Sequence, residues 1–72
     1  MRHDDLVRSI NQICAYFDAY PDADAVDGVA EHLQKFWDPS MRSELLAARQ
    51  ELAQSLSPLA QRALERLADV PP

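Results

Sequence analysis

Residues 32–42 read His32-Leu33-Gln34-Lys35-Phe36-Trp37-Asp38-Pro39-Ser40-Met41-Arg42. Two large aromatics stand directly before Asp-Pro. A proline fits the first turn of a helix, where its missing N–H costs nothing, and the residue before it is pushed out of the α region. Asp38 is a preferred N-cap type. The stretch therefore predicts a helix ending near Trp37 and another starting at Pro39. On a helix, neighbours point about 100° apart, so Phe36 and Trp37 do not fill one pocket together. One can bury while the other faces outward.

The same punctuation recurs on either side. Ser57-Pro58 repeats the cap-and-proline device, and Pro21 closes the segment before it. Between these marks the apolar residues recur at spacings of three and four, the period of one helix face. Leu6, Ile10, Ile13, Cys14 and Phe17 form a stripe on a helix from about Asp4 to Tyr20. Val26, Val29, Ala30, Leu33 and Phe36 or Trp37 form one from about Ala25 to Trp37, with Asp22 or Asp24 as its cap. Met41, Leu45, Ala48 and Leu52 mark a third, from Pro39 to about Gln54, widened by Leu46 and Ala53. Leu59, Ala60, Ala63, Leu64 and Leu67 mark a fourth, from Pro58 to about Leu67, before Pro71-Pro72. No alternating period-2 stretch argues for a sheet. The fold class is all-α: a small bundle of three to four short helices in a single domain, 1–72, with short connections that favour compact packing.

The chain has 72 residues, a formal net charge of −5 and a pI of about 4.7. A core this size is thin, and small domains usually need a disulfide, a metal or a partner. The one cysteine, Cys14, excludes an internal disulfide. A partner is left, and its binding would stabilise the fold by mass action. The acidic balance argues against nucleic acid, which needs a basic face, and against an anionic membrane surface. No apolar run approaches the roughly 20 residues of a membrane span. Met1-Arg2-His3-Asp4-Asp5 has no apolar core of a secretory signal. A cytoplasmic protein with a reduced thiol is expected.

Little in the chain resembles an enzyme. His3 and His32 are the only histidines. His32 adjoins Glu31, but adjacent helix residues do not face one another, so a structural or interface hydrogen bond is the plainer role. Cys14 falls on the Ile10–Phe17 stripe and reads as a small packed hydrophobe. There is no CxxC, HExxH or glycine-rich phosphate loop, and Cys14, His3 and His32 are not at ligand spacing. No catalytic, cofactor-binding or metal residue is expected. Asp18, Asp22, Asp24 and Asp27 read as a solvated and helix-capping set. Arg62 and Arg66, four apart, repel slightly and need an acidic partner or solvent. Gly28 weakens its helix by up to about 1 kcal/mol. It either lets another backbone approach or is a tolerated surface glycine. Phe36, Trp37, Met41 and Arg42 are the candidate partner-binding residues, because aromatics, Met and Arg are enriched at interfaces. The competing reading makes Trp37 a cover for the inter-helix corner, part of the core.

This same stretch resembles the delta subunit family of NAD-dependent, molybdenum-containing formate dehydrogenase. The likeness lies in Phe36-Trp37-Asp38-Pro39 with Met41-Arg42 after it and His32-Leu33 and Lys35 before it. It extends to Leu6-Val7, Asn11-Gln12-Ile13 and Phe17, to Ala25, Gly28, Val29 and Ala30, and to Leu56, Pro58, Leu59, Ala63 and Leu64. Ser40 departs from it, standing where an arginine is expected. The resemblance implies a small, cofactor-free accessory subunit of a cytoplasmic complex, supporting assembly or stability. The molybdenum–pterin centre, iron–sulfur clusters and FMN would lie in partner subunits, and the partner would be the catalytic subunit. The alternative is a self-associating helical adaptor unrelated to formate oxidation, with the same aromatics in an isologous interface. Self-association in isolation stays open.

Overall fold

A computed structural model describes residues 2–69. They form four α-helices: α1 (His3–Phe17), α2 (Asp22–Phe36), α3 (Pro39–Ala48) and α4 (Pro58–Ala68), with a 3₁₀ turn, Ala53–Ser55, before the last. No strand occurs among the described residues. Pro71 and Pro72 lie outside them.

The stripes read from spacing supply the core. Leu6, Ile10 and Cys14 of α1 meet Ala25, Val29, Ala30 and Leu33 of α2, Leu45 of α3, and the five stripe residues of α4. Leu6, Ile10, Val29 and Leu45 are fully buried. The α2–α4 contact is the most extensive, and α1 touches all three other helices. Burying a Leu or Ile side chain stabilises by about 1.5–3 kcal/mol, so this shared interior holds the bundle together.

Three boundaries differ from expectation. α1 stops at Phe17, and the next residues tighten, with the Tyr20 N–H donating to the Phe17 carbonyl at 3.0 Å. α2 begins at Asp22, not Ala25. Pro21 holds the cap position with φ −56°, and its carbonyl accepts from the Ala25 N–H at 2.8 Å. Asp22 and Asp24 therefore do not cap by side chain. They lie in the first turn, where the helix dipole favours negative charge.

The third difference is the largest. α3 ends at Ala48, six residues before Gln54. The chain must turn there to bury Leu56, which is 4% exposed, and to place Ser57 at the start of α4. Side chains take up the carbonyls freed at this corner. Arg49 Nη1 donates to the Leu46 carbonyl at 2.7 Å, and Gln61 Nε2 donates to those of Ala53 and Leu56 at 2.9 and 3.2 Å.

The two Xaa-Pro devices behave differently. Ser57 Oγ accepts from the Ala60 N–H at 3.2 Å, a working side-chain cap. Asp38 occupies the N-cap position of α3 but makes no such bond. Its carboxylate accepts instead from the Ser40 hydroxyl at 2.7 Å.

Candidate functional site: an exposed aromatic groove

The four candidate residues divide between two surfaces. Trp37, Met41 and Arg42 form the corner where α2 ends and α3 begins. Trp37 has left the helix (φ −90°, ψ 140°), and its ring packs half-buried against the core, as does Met41. Arg42 reaches back across the corner. One guanidinium nitrogen donates to the carbonyls of Leu33, Gln34 and Trp37 at 3.2, 3.0 and 2.8 Å. The Leu33 carbonyl also accepts from the Trp37 N–H at 3.1 Å, while that of Gln34 belongs to the last turn, whose carbonyls have no partner within the helix.

Phe36 points elsewhere. It is 72% exposed, and its ring lies 4.8 Å from that of His32, one turn earlier. Across from them on α1 stands Tyr16, also 72% exposed, with Ile13 and Phe17 beside it. Between the two helices runs an open groove of about 620 Å³, lined by these side chains with Ser9 and Gln12. A continuation passes Gly28, with Glu31 and Lys35 at its edge. Those two are joined at 2.6 Å, and the hydrogen bond from Lys35, then its charge, lowers the Glu31 carboxyl pKa.

Gly28 shapes this groove. A Cβ there would lie 2.6 Å from Cε1 of Phe17 and 2.7 Å from Cδ1. The close neighbour is thus an aromatic ring and not a backbone. Phe17 lies down over the glycine, held edge-on by Tyr16 at 5.1 Å and flanked by Tyr20 at 5.7 Å.

Sequence reasoning missed Tyr16 and Tyr20 because Tyr16 lies off the core stripe of α1 and Tyr20 beyond its end. The available signal was Tyr16-Phe17 with Tyr20 four residues on, more aromatic area than one stripe can bury. It also missed Asn11, which bridges α1 to the α4 corner. The Asn11 amide donates to the Ser55 carbonyl at 3.0 Å, and its carbonyl oxygen accepts from the Ser57 N–H at 3.0 Å. Arg62 and Arg66 find their acids within the chain: Asp22 at 3.8 Å and Asp27 at 2.6 Å. Cys14 is 3% exposed. Burial pushes its thiol pKa up, with opposition from a Ser57 hydrogen bond and a smaller push from the Asp18 charge.

Among the described residues no three His, Cys, Asp or Glu side chains converge as they would to hold a metal ion. No helix there is long and apolar enough to cross a membrane.

The sequence profile of the NADH-dependent formate dehydrogenase delta subunit FdsD matches residues 5–64. The chain belongs to the FdsD family. No curated protein and no solved structure matches it. The FdsD span begins inside α1 and ends inside α4, so it holds both the groove and the corner. The fold of this chain is all-α, and the resemblance drawn from residues 32–42 is that of the family.

Proposed function

We propose that this chain is a non-catalytic accessory subunit that binds the catalytic subunit of a cytoplasmic NAD-dependent formate dehydrogenase and supports its assembly or stability. The observation that carries this is the pair Tyr16 and Phe36, each 72% exposed on one groove inside the FdsD span. An aromatic groove of this kind, rimmed by polar groups, is what protein interaction sites present. The Trp37–Met41–Arg42 corner adjoins Phe36 and extends the contact. The chain itself carries no cofactor in this reading. The molybdenum–pterin, iron–sulfur and FMN groups reside in the other subunits.

The test is to produce the complex with and without this chain. Molybdenum content and the thermal half-life of NAD-linked formate oxidation are then measured. Accessory function predicts lower molybdenum occupancy or faster inactivation without the chain. Identical content and half-life would reject it.

A further inference from the structure

We infer that the α1–α2 groove receives a two-turn amphipathic helix of the catalytic subunit, apolar along its buried stripe and carrying a Lys or Arg that reaches Asp24. This rests on the accessory-subunit reading above.

The length of the groove sets the size of its occupant. Its α1 wall runs from Ser9 to Phe17, a rise of about 12 Å. That matches three anchors at i, i+3 or i+4, and i+7 of a docked helix. Both walls are helices, whose mid-helix backbone groups are already paired. They offer no edge to which an extended strand could bond. A segment entering this apolar trough must therefore satisfy its own N–H and C=O groups, and a helix does so.

The charges commit the occupant further. Every Lys and Arg from Arg8 to Arg66 is engaged within the chain. Arg8, Lys35, Arg62 and Arg66 pair with Asp5, Glu31, Asp22 and Asp27, while Arg42 and Arg49 hold carbonyls. The surplus behind the net charge of −5 is carboxylate. Asp24 lies outside the groove lining, one helical turn before Gly28, which lines the groove beside Phe17, and no cation pairs with it among the described residues. A basic side chain arriving there gains an uncontested partner. A second copy of this chain would bring more negative charge to the same place, so like-charge repulsion works against it.

The experiment uses the whole complex, purified through a tag on this chain. The photo-cross-linking residue p-benzoylphenylalanine replaces Tyr16, Phe36 or, for contrast, Met41. Positions 16 and 36 are expected to cross-link to one helical segment of the catalytic subunit, with apolar residues at i, i+3 or i+4, and i+7 and a Lys or Arg beside them. Asp24→Lys is expected to slow association on the order of tenfold at low salt, and reversing the charge of that Lys or Arg restores it. Cross-links from 16 and 36 to a second copy of this chain, to a non-helical segment or to nothing would overturn the inference, even if position 41 reaches the catalytic subunit and the accessory reading survives. A chain that fails to co-purify with the complex at all overturns both.

Discussion

Arg42 caps the end of α2 by donating to the Leu33 and Gln34 carbonyls of its last turns and, at 2.8 Å, to that of Trp37 just beyond it. In sequence it stands in the first turn of α3, where the dipole disfavours positive charge, so a carbonyl or carboxylate had to receive it. The tight corner at Asp38 brings that receiver from its own chain. Hydrogen bonds from a charged donor contribute about 1.5–3 kcal/mol when fully formed. Here one nitrogen is shared and the site is half-buried, so Arg42→Ala is expected to cost about 1–2 kcal/mol. Thermal unfolding by circular dichroism should show a Tm lower by roughly 4–8 °C per kcal/mol for a domain this small. An unchanged Tm would mean the cap contributes nothing. Gly28 makes a second case. Gly→Ala inside a helix normally stabilises by about 0.5–1 kcal/mol, but here the new methyl meets the Phe17 ring. Gly28→Ala is expected to be neutral or destabilising in the parent chain and stabilising in a Phe17→Ala background, a coupling that a double-mutant cycle reads directly. Additive effects would show that the ring does not rest on the glycine. Cys14 makes a third. Its raised pKa means the folded state holds the thiol proton more tightly than the unfolded chain does. That contribution is complete below the ordinary thiol range and is lost as pH rises through the folded-state pKa. Denaturant titrations should show stability falling as pH rises through and above the ordinary thiol range, about 8.5, with a shallower fall in Cys14→Ala.

At the scale of elements, the helices were legible because each stripe is a local property. Leu59, Ala60, Ala63, Leu64 and Leu67 are all buried as their spacing requires. Ser57-Pro58 read correctly as a capped start because the capping bond spans only three residues. The end of α3 was not legible. Residues 49–54 are ordinary helix formers, and nothing among them forbids continuation. What stops the helix is the demand of Leu56 for the core and of α4 for a packing direction, a tertiary effect that overrides propensity. Asn11 fixes this corner from a distance of more than forty residues, which no local pattern reveals. Asn11→Ala should therefore cost about 1–2 kcal/mol, comparable to or larger than the roughly 1 kcal/mol expected for Ser57→Ala as a lost cap. Urea unfolding of both variants and their combination would check this. Because Asn11 holds the Ser57 N–H, the combined loss should fall short of the sum.

At the scale of the molecule, two layers of acidic residues divide the work. Asp22 and Asp27 face α4 and pair with Arg62 and Arg66, exposed contacts contributing at most about 1 kcal/mol each. Asp5 and Glu31 pair with Arg8 and Lys35, and the carboxylates beyond these four leave the surface negative. The aromatic groove was only partly legible in the sequence. Phe36 stood out beside Trp37 and the Asp-Pro corner, whereas its counterpart Tyr16 is twenty residues away on another helix, and only the packing of α1 on α2 brings them to one trough. Trp37 and Phe36 are adjacent in sequence yet serve different surfaces, because the chain leaves the helix between them. Docking in this groove therefore turns on Tyr16 and Phe36. Both are largely exposed, so replacing the two together with serine should change the stability of the isolated domain by no more than about 0.5 kcal/mol per site. The decisive measurement is co-purification of this Tyr16→Ser, Phe36→Ser chain with the catalytic subunit of formate dehydrogenase, alongside its melting curve. A parent-like melting curve with co-purification lost is the predicted result, and co-purification at the parent level would contradict the account.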